Sequence, residues 1–101
     1  MDADQTIYDR ILSGSNGSIG ATALQLTSTA FKTIRGVQIK AAYDNTGIVY
    51  VGKQGVTADS AEATDGFQLL AGEGVFIPID DISKVYVIAS ATDQKVFYLA
   101  V

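Results

Sequence analysis

The chain has 101 residues, 48% of them apolar, with 11 acids against 7 bases and a net charge of −4. One domain of that length holds a buried core, and bases scattered singly rather than in a phosphate-neutralising patch argue against nucleic acid as a partner. Cysteine and histidine are absent, which excludes disulfides, thiolate nucleophiles, histidine-based triads and nearly every zinc site.

The opening MDADQTIYDRIL lacks the basic-then-apolar order of a secretion signal, and no apolar run approaches the roughly 18 residues of a membrane span. Synthesis in a cytoplasm with no membrane partner is the expectation. Within the first twenty residues, Ile7, Tyr8, Ile11 and Leu12 share one stripe of a short helix, capped by Asp2 or Asp4 and ended at Gly14. A helix of about nine residues is marginal alone. It either lies on its own domain or docks on a neighbouring chain, and SGSNGSIG after it reads as a flexible linker. Residues 1–20 are therefore an N-terminal arm, and 21–101 a β-sandwich domain.

From residue 22 onward short strands alternate with turn residues. ALQLTS places Leu24 and Leu26 on one face; VQIKAAY places Val37, Ile39, Ala41 and Tyr43 opposite Gln38 and Lys40. DNTG supplies turn chemistry before IVYVG, so residues 37–52 are predicted to form an antiparallel hairpin. The polar, acidic stretch 53–66 reads as an exposed loop. FQLLAGEG, VFIPID, KVYVIAS and KVFYLAV complete about seven strands, joined too briefly for crossover helices, so the fold class is all-β: an antiparallel β-sandwich or jelly-roll-like barrel. Pro78 cannot donate to a ladder and assigns its strand to an edge or a bulge.

The late strands are apolar on both faces. If Val85 and Val87 face the core, Tyr86 and Ile88 face outward, and Phe97 and Leu99 do the same on the last strand. Monomers seldom expose such surface. Either the N-terminal segment or the 53–66 loop covers it, or Tyr86, Ile88, Phe97 and Leu99 form an interface in a symmetric homo-oligomer.

No catalytic residue, metal site or cofactor is expected. Asp80 and Asp81 are neighbours and project to opposite faces if extended, and neither the ligand number nor the spacing of a calcium loop is present. They read as a structural turn in which Asp80 accepts from the backbone N–H groups of residues 82 and 83 and Ile82 plugs the end of the sandwich. Glu73, between glycines, has no second carboxylate nearby in sequence for acid–base work.

Residues 37–90 carry a resemblance. Gly47–Gly52 (GIVYVG), Leu70–Glu73 (LAGE) and Asp80–Val87 (DDISKVYV) resemble elements shared by small bacteriophage proteins encoded among virion structural genes. The resemblance implies a non-enzymatic capsid cement, or decoration, protein: a jelly-roll-like homotrimer on the capsid exterior that binds the major capsid protein and stabilises the head. The stripe Ile7, Tyr8, Ile11 and Leu12 would then clasp capsid or neighbour. A receptor- or carbohydrate-binding module of a tail or fibre, with loop 53–66 as its rim, is the alternative.

Overall fold

The computed structural model describes residues 11–58 and 66–101. Ile7 and Tyr8 lie outside the described residues, as does half of the acidic loop, residues 59–65. Eight strands follow in order: β1 (Leu12–Ile19), β2 (Leu24–Gln25), β3 (Val37–Ala41), β4 (Val49–Gly52), β5 (Phe67–Leu69), β6 (Gly74–Ile77), β7 (Tyr86–Ala89) and β8 (Gln94–Ala100). One 3₁₀ turn, Ile82–Lys84, lies between β6 and β7.

The strands form two four-stranded antiparallel sheets. Sheet A has the order β1-β8-β3-β6, and sheet B the order β2-β7-β4-β5. The pairs β4·β5, β3·β6, β2·β7 and β1·β8 are those of one long hairpin running outward from its tip. Rolling that hairpin brings β8 onto β3 and β7 onto β4. This is the strand order of a jelly roll, which leaves few edges for its size. Pro78 falls one residue past β6, an edge strand, so no ladder loses a donor to it.

Alternation sets which side chains meet. Val37, Ile39 and Ala41 of β3, Val96 and Ala100 of β8, and Val49, Val51, Leu69, Val87 and Ala89 of sheet B are buried in one core between the sheets. Leu26, Val85 and Ile82 close one end of it. Each aliphatic side chain withdrawn from water contributes about 1.5–3 kcal/mol before conformational entropy is set against it.

Two sequence expectations are overturned. The first is the linker: Leu12–Ile19 is not a hinge but β1, paired from Leu12↔Ala100 to Asn16↔Val96, with a register shift before Ile19↔Gln94. Its small residues are positional. Ser13 and Ser15 face outward, and Gly14 faces inward against Tyr98, where an added Cβ would lie 2.5 Å from the phenol oxygen. The tyrosine ring fills the space that the missing side chain leaves. β1 also accounts for the eighth strand, and its span makes residue 20 no boundary between arm and domain. It ends the helical stripe as well, since Leu12 is a strand residue packed against the core.

The second is the hairpin. β3 and β4 lie in different sheets, and the segment between them is an arch. Its turn residues are tied to β8 instead of to each other. The Asn45 amide donates to Lys95 O and accepts from Lys95 N, both at 2.9 Å, in the manner of a ladder residue. Buried Gln94 accepts from Gly47 N at 2.9 Å and donates to Thr46 Oγ1 and Thr92 O. Tyr43, expected on the buried face, follows the end of β3 and is 86% exposed.

Ile39 is fully buried between Val75 and Tyr98 in register. Ile39→Ala is expected to cost about 2–5 kcal/mol in urea unfolding with an unchanged denaturant slope. A loss below about 1 kcal/mol would show that the two sheets do not pack there as described.

Candidate interaction surfaces

The paired aspartates diverge. Asp81, not Asp80, caps the 3₁₀ turn: its Oδ1 accepts from Ser83 N at 2.9 Å, and its Oδ2 lies 3.3 Å from Lys32 Nζ. Asp80 points to solvent and pairs with Lys84 at 2.9 Å. The capping role expected of Asp80 belongs to its neighbour because the extended backbone of Asp81 (φ −153°, ψ 122°) turns that carboxylate onto the N–H two residues on. Ile82 is fully buried, as a plug requires. Glu73 has a similar structural duty. Gly72 (φ 83°) occupies the turn position that needs a positive φ, and Glu73 Oε1 accepts from Leu70 N at 2.8 Å. Among the described residues no three acidic side chains converge as a metal site.

The Ser83 N–H, and then the Lys32 ammonium, hold the Asp81 carboxyl at about 2, below its ordinary 3.8. Lys84 lowers Asp80 too, but both groups are well exposed, and such pairs contribute little. A carboxylate depressed in the folded state stabilises the fold above its unfolded pKa, and that stability is lost as pH falls through the folded value. Asp81→Asn should therefore melt below the parent at neutral pH. The gap should close between about pH 4 and pH 2. A gap that stays constant over that range in thermal melts would remove Asp81 from the acid response.

Sheet B has no bare apolar face at the position expected of an interface. Ile88 is only 8% exposed: it packs with Tyr50 and Val56 in a second small cluster, with half-buried Tyr86 against it. The chain following β4 brings Val56 over the outer side of the sheet, onto Tyr50 and Ile88. Ile88 is thus corrected from a subunit contact to a side chain covered within its own chain, while Tyr86 remains partly exposed beside it.

Sheet A differs. Its outer face is laid out in rungs by the register, Ser13–Leu99–Gln38–Phe76 and then Ser15–Phe97–Lys40–Gly74. Phe76, Phe97 and Leu99 are 46%, 46% and 43% exposed. Gly74 adds no side chain beside Lys40, and Lys95 Nζ sits 4.9 Å from the centre of the Phe97 ring. No acid occupies these rungs. Phe97 and Leu99 face outward as the alternation of β8 predicts. Phe76 faces outward on β6, with Val75 and Ile77 on either side of it in the opposite phase.

A second apolar feature lies where the sandwich opens between the edge strands β5 and β6. It is a cleft of about 440 Å³, lined by Val51, Phe67, Val75, Ile77 and Val85 among others, with Lys53 and Lys84 in its wall. Phe67 is on the inner side of β5 yet 59% exposed, because β6 stands off from it there. Sequence pattern alone does not reveal such a cleft, since it depends on how the two sheets diverge. Of the expected clasp, Ile11 is 61% exposed and Leu12 half-buried.

Comparison of the chain with protein-family models, with curated proteins and with solved structures returned no match.

Proposed function

We propose that this chain is a non-enzymatic phage decoration protein that binds the capsid exterior as a homotrimer and stabilises the head by burying apolar surface against its neighbours. The observation that carries the reading is the outer face of sheet A, where Phe76, Phe97 and Leu99 stand exposed in adjacent rungs without an acid among them. Surface of this kind, apolar at its centre with Lys40, Lys95, Gln38 and the β1 serines around it, has the make-up of an interface core and rim. Phe97 and Leu99 are assigned to contacts with other copies or with the major capsid protein, and Phe76 joins them.

The resemblance to virion structural proteins supports the same reading through the fold. Its three elements are corners here: the entry to β4, the β5–β6 turn, and the Asp81-capped corner before β7. A jelly roll hosts many functions, so the corners support the architecture and the exposed face supports the role. The carbohydrate-binding alternative draws on the same face, where Phe76 and Phe97 stand beside the hydrogen-bonding groups of Gln38, Ser13 and Ser15.

The double variant Phe97→Ser/Leu99→Ser tests the reading. Both side chains are outside the core, so the fold should survive with its melting temperature within a few degrees. Light scattering at micromolar concentration should show the parent as an oligomer and the variant at least tenfold weaker in self-association. Co-sedimentation with undecorated shells should fall in step. A monomeric parent that leaves shells bare, or a variant that assembles and decorates as the parent does, would overturn the proposal. Retained assembly with loss of glycan capture would favour the sugar-binding module.

A further inference from the structure

We infer that the arch between β3 and β4 is a knob for the outer face of sheet A in a second copy of the chain: Tyr43 of one copy seats among Gln38, Lys40, Phe97 and Leu99 of the next. The inference rests on the homo-oligomer reading above and names the two surfaces that meet.

The knob is built by the turn chemistry of the arch. The Asn45 N–H donates to Ala42 O at 3.1 Å and closes a tight turn with Tyr43 and Asp44 at its centre. Tyr43 is 86% exposed, more than any other large apolar side chain among the described residues. The turn beneath it is braced: Asn45 is bonded to both backbone groups of Lys95, and Gln94 accepts from Gly47 N. An aromatic side chain on a braced turn has little freedom left to lose on burial, and tyrosine is among the residues that dominate interface energies. Two carboxylates flank it. Asp44 shares the turn, and Asp93, at φ 58° in the turn before β8, borders the same depression as Asp44. Lys95 borders it too, but its ammonium is turned to the Phe97 ring. Neither carboxylate is ion-paired to any described residue.

The socket is its complement in shape and charge. Among Gln38, Lys40, Phe97 and Leu99 the outer face of sheet A dips into a depression of about 160 Å³. A space of about 150 Å³ takes a benzene ring. Its lining holds no acid, Lys40 is ion-paired to no described residue, and Lys95 stands over the Phe97 ring. An aromatic ring beside two carboxylates thus matches an apolar hollow beside two ammonium groups.

The same comparison selects the partner. Tyr43 is too exposed to occupy the hollow of its own chain. A two-fold stack of one sheet A on another would bring Lys40 and Lys95 of both faces together with no acid between them, a like-charge contact. Knob into socket joins two different surfaces instead. Such a heterologous contact closes into a ring, the arrangement that a homotrimer needs.

The positions involved are exposed, so variants keep the fold, which circular dichroism melts verify. Tyr43→Ser is expected to weaken self-association at least tenfold by light scattering across a dilution series. Lys40→Glu and Asp44→Lys should each weaken it several-fold. The double variant Lys40→Glu/Asp44→Lys should recover most of that loss, because the exchanged charges attract again across the contact. The absence of cysteine adds a direct trap. Full-length Tyr43→Cys protein, mixed under mild oxidation with affinity-tagged Gln38→Cys protein, should form tagged heterodimers at least tenfold faster than with tagged Gln54→Cys protein, whose exposed cysteine lies beyond β4 of sheet B. Equal trapping at the two positions, or a double charge variant as weak as the weaker single one, would overturn the inference. Light scattering on the unmodified chain separates the two claims: an oligomer with neither rescue nor selective trapping removes only the knob and socket, whereas a monomer removes the homo-oligomer reading as well. A monomer whose capture by undecorated shells falls with Tyr43→Ser would give the knob to the capsid protein instead of a second copy.

Discussion

The position of β8 between β1 and β3 is the constraint from which the rest follows. A strand with hydrogen-bonded neighbours on both sides has no freedom of register, and register decides which side chains face the core. Val96 and Ala100 go inward with Tyr98, and Lys95, Phe97 and Leu99 go outward. Pairing that strand with β1 joins residues as far apart in sequence as Leu12 and Ala100. Contacts of such sequence separation form late and slowly. The side-chain clamps of Asn45 and Gln94 oppose that cost by fixing the start of β8 to the β3–β4 arch.

Much of this was legible in the sequence. Period-2 alternation located the inward residues of β3 and the two phases of β8, and the brevity of the connections required antiparallel sheets. What failed did so for physical reasons. Turn residues such as DNTG bend the chain equally well within one sheet or between two, and only the distant partner Lys95 selects the arch. Ser and Gly in β1 look like linker chemistry, yet Gly14 is needed by Tyr98, eighty-four residues along the chain in sequence and opposite it in register. The adjacent aspartates mark a corner, but only the backbone conformation of Asp81 decides which of the two caps it.

The apolar second faces separate into two cases that local sequence cannot distinguish. Tyr50 and Ile88 pack with Val56, delivered by a loop rich in small and polar residues, and with Ala23, Ile48, Ala58 and Tyr86 around them. Phe76, Phe97 and Leu99 receive no such cover among the described residues. The outer face of sheet B is thus covered within the chain, while the outer face of sheet A and the β5–β6 cleft leave apolar surface exposed among the described residues. The proposed assembly role rests on that asymmetry between the sheets, and the carboxylates of Glu73 and Asp81 serve the scaffold.

The asymmetry is open to direct observation by two-dimensional NMR of the labelled protein across a concentration series. If sheet A is the contact surface, shifts and broadening with rising concentration will gather at Ser13, Ser15, Gln38, Lys40, Phe76, Phe97 and Leu99, leaving Tyr50, Val56 and Ile88 unmoved. Spectra in which those sheet A residues stay invariant while sheet B responds, or in which nothing responds up to millimolar protein, would contradict it.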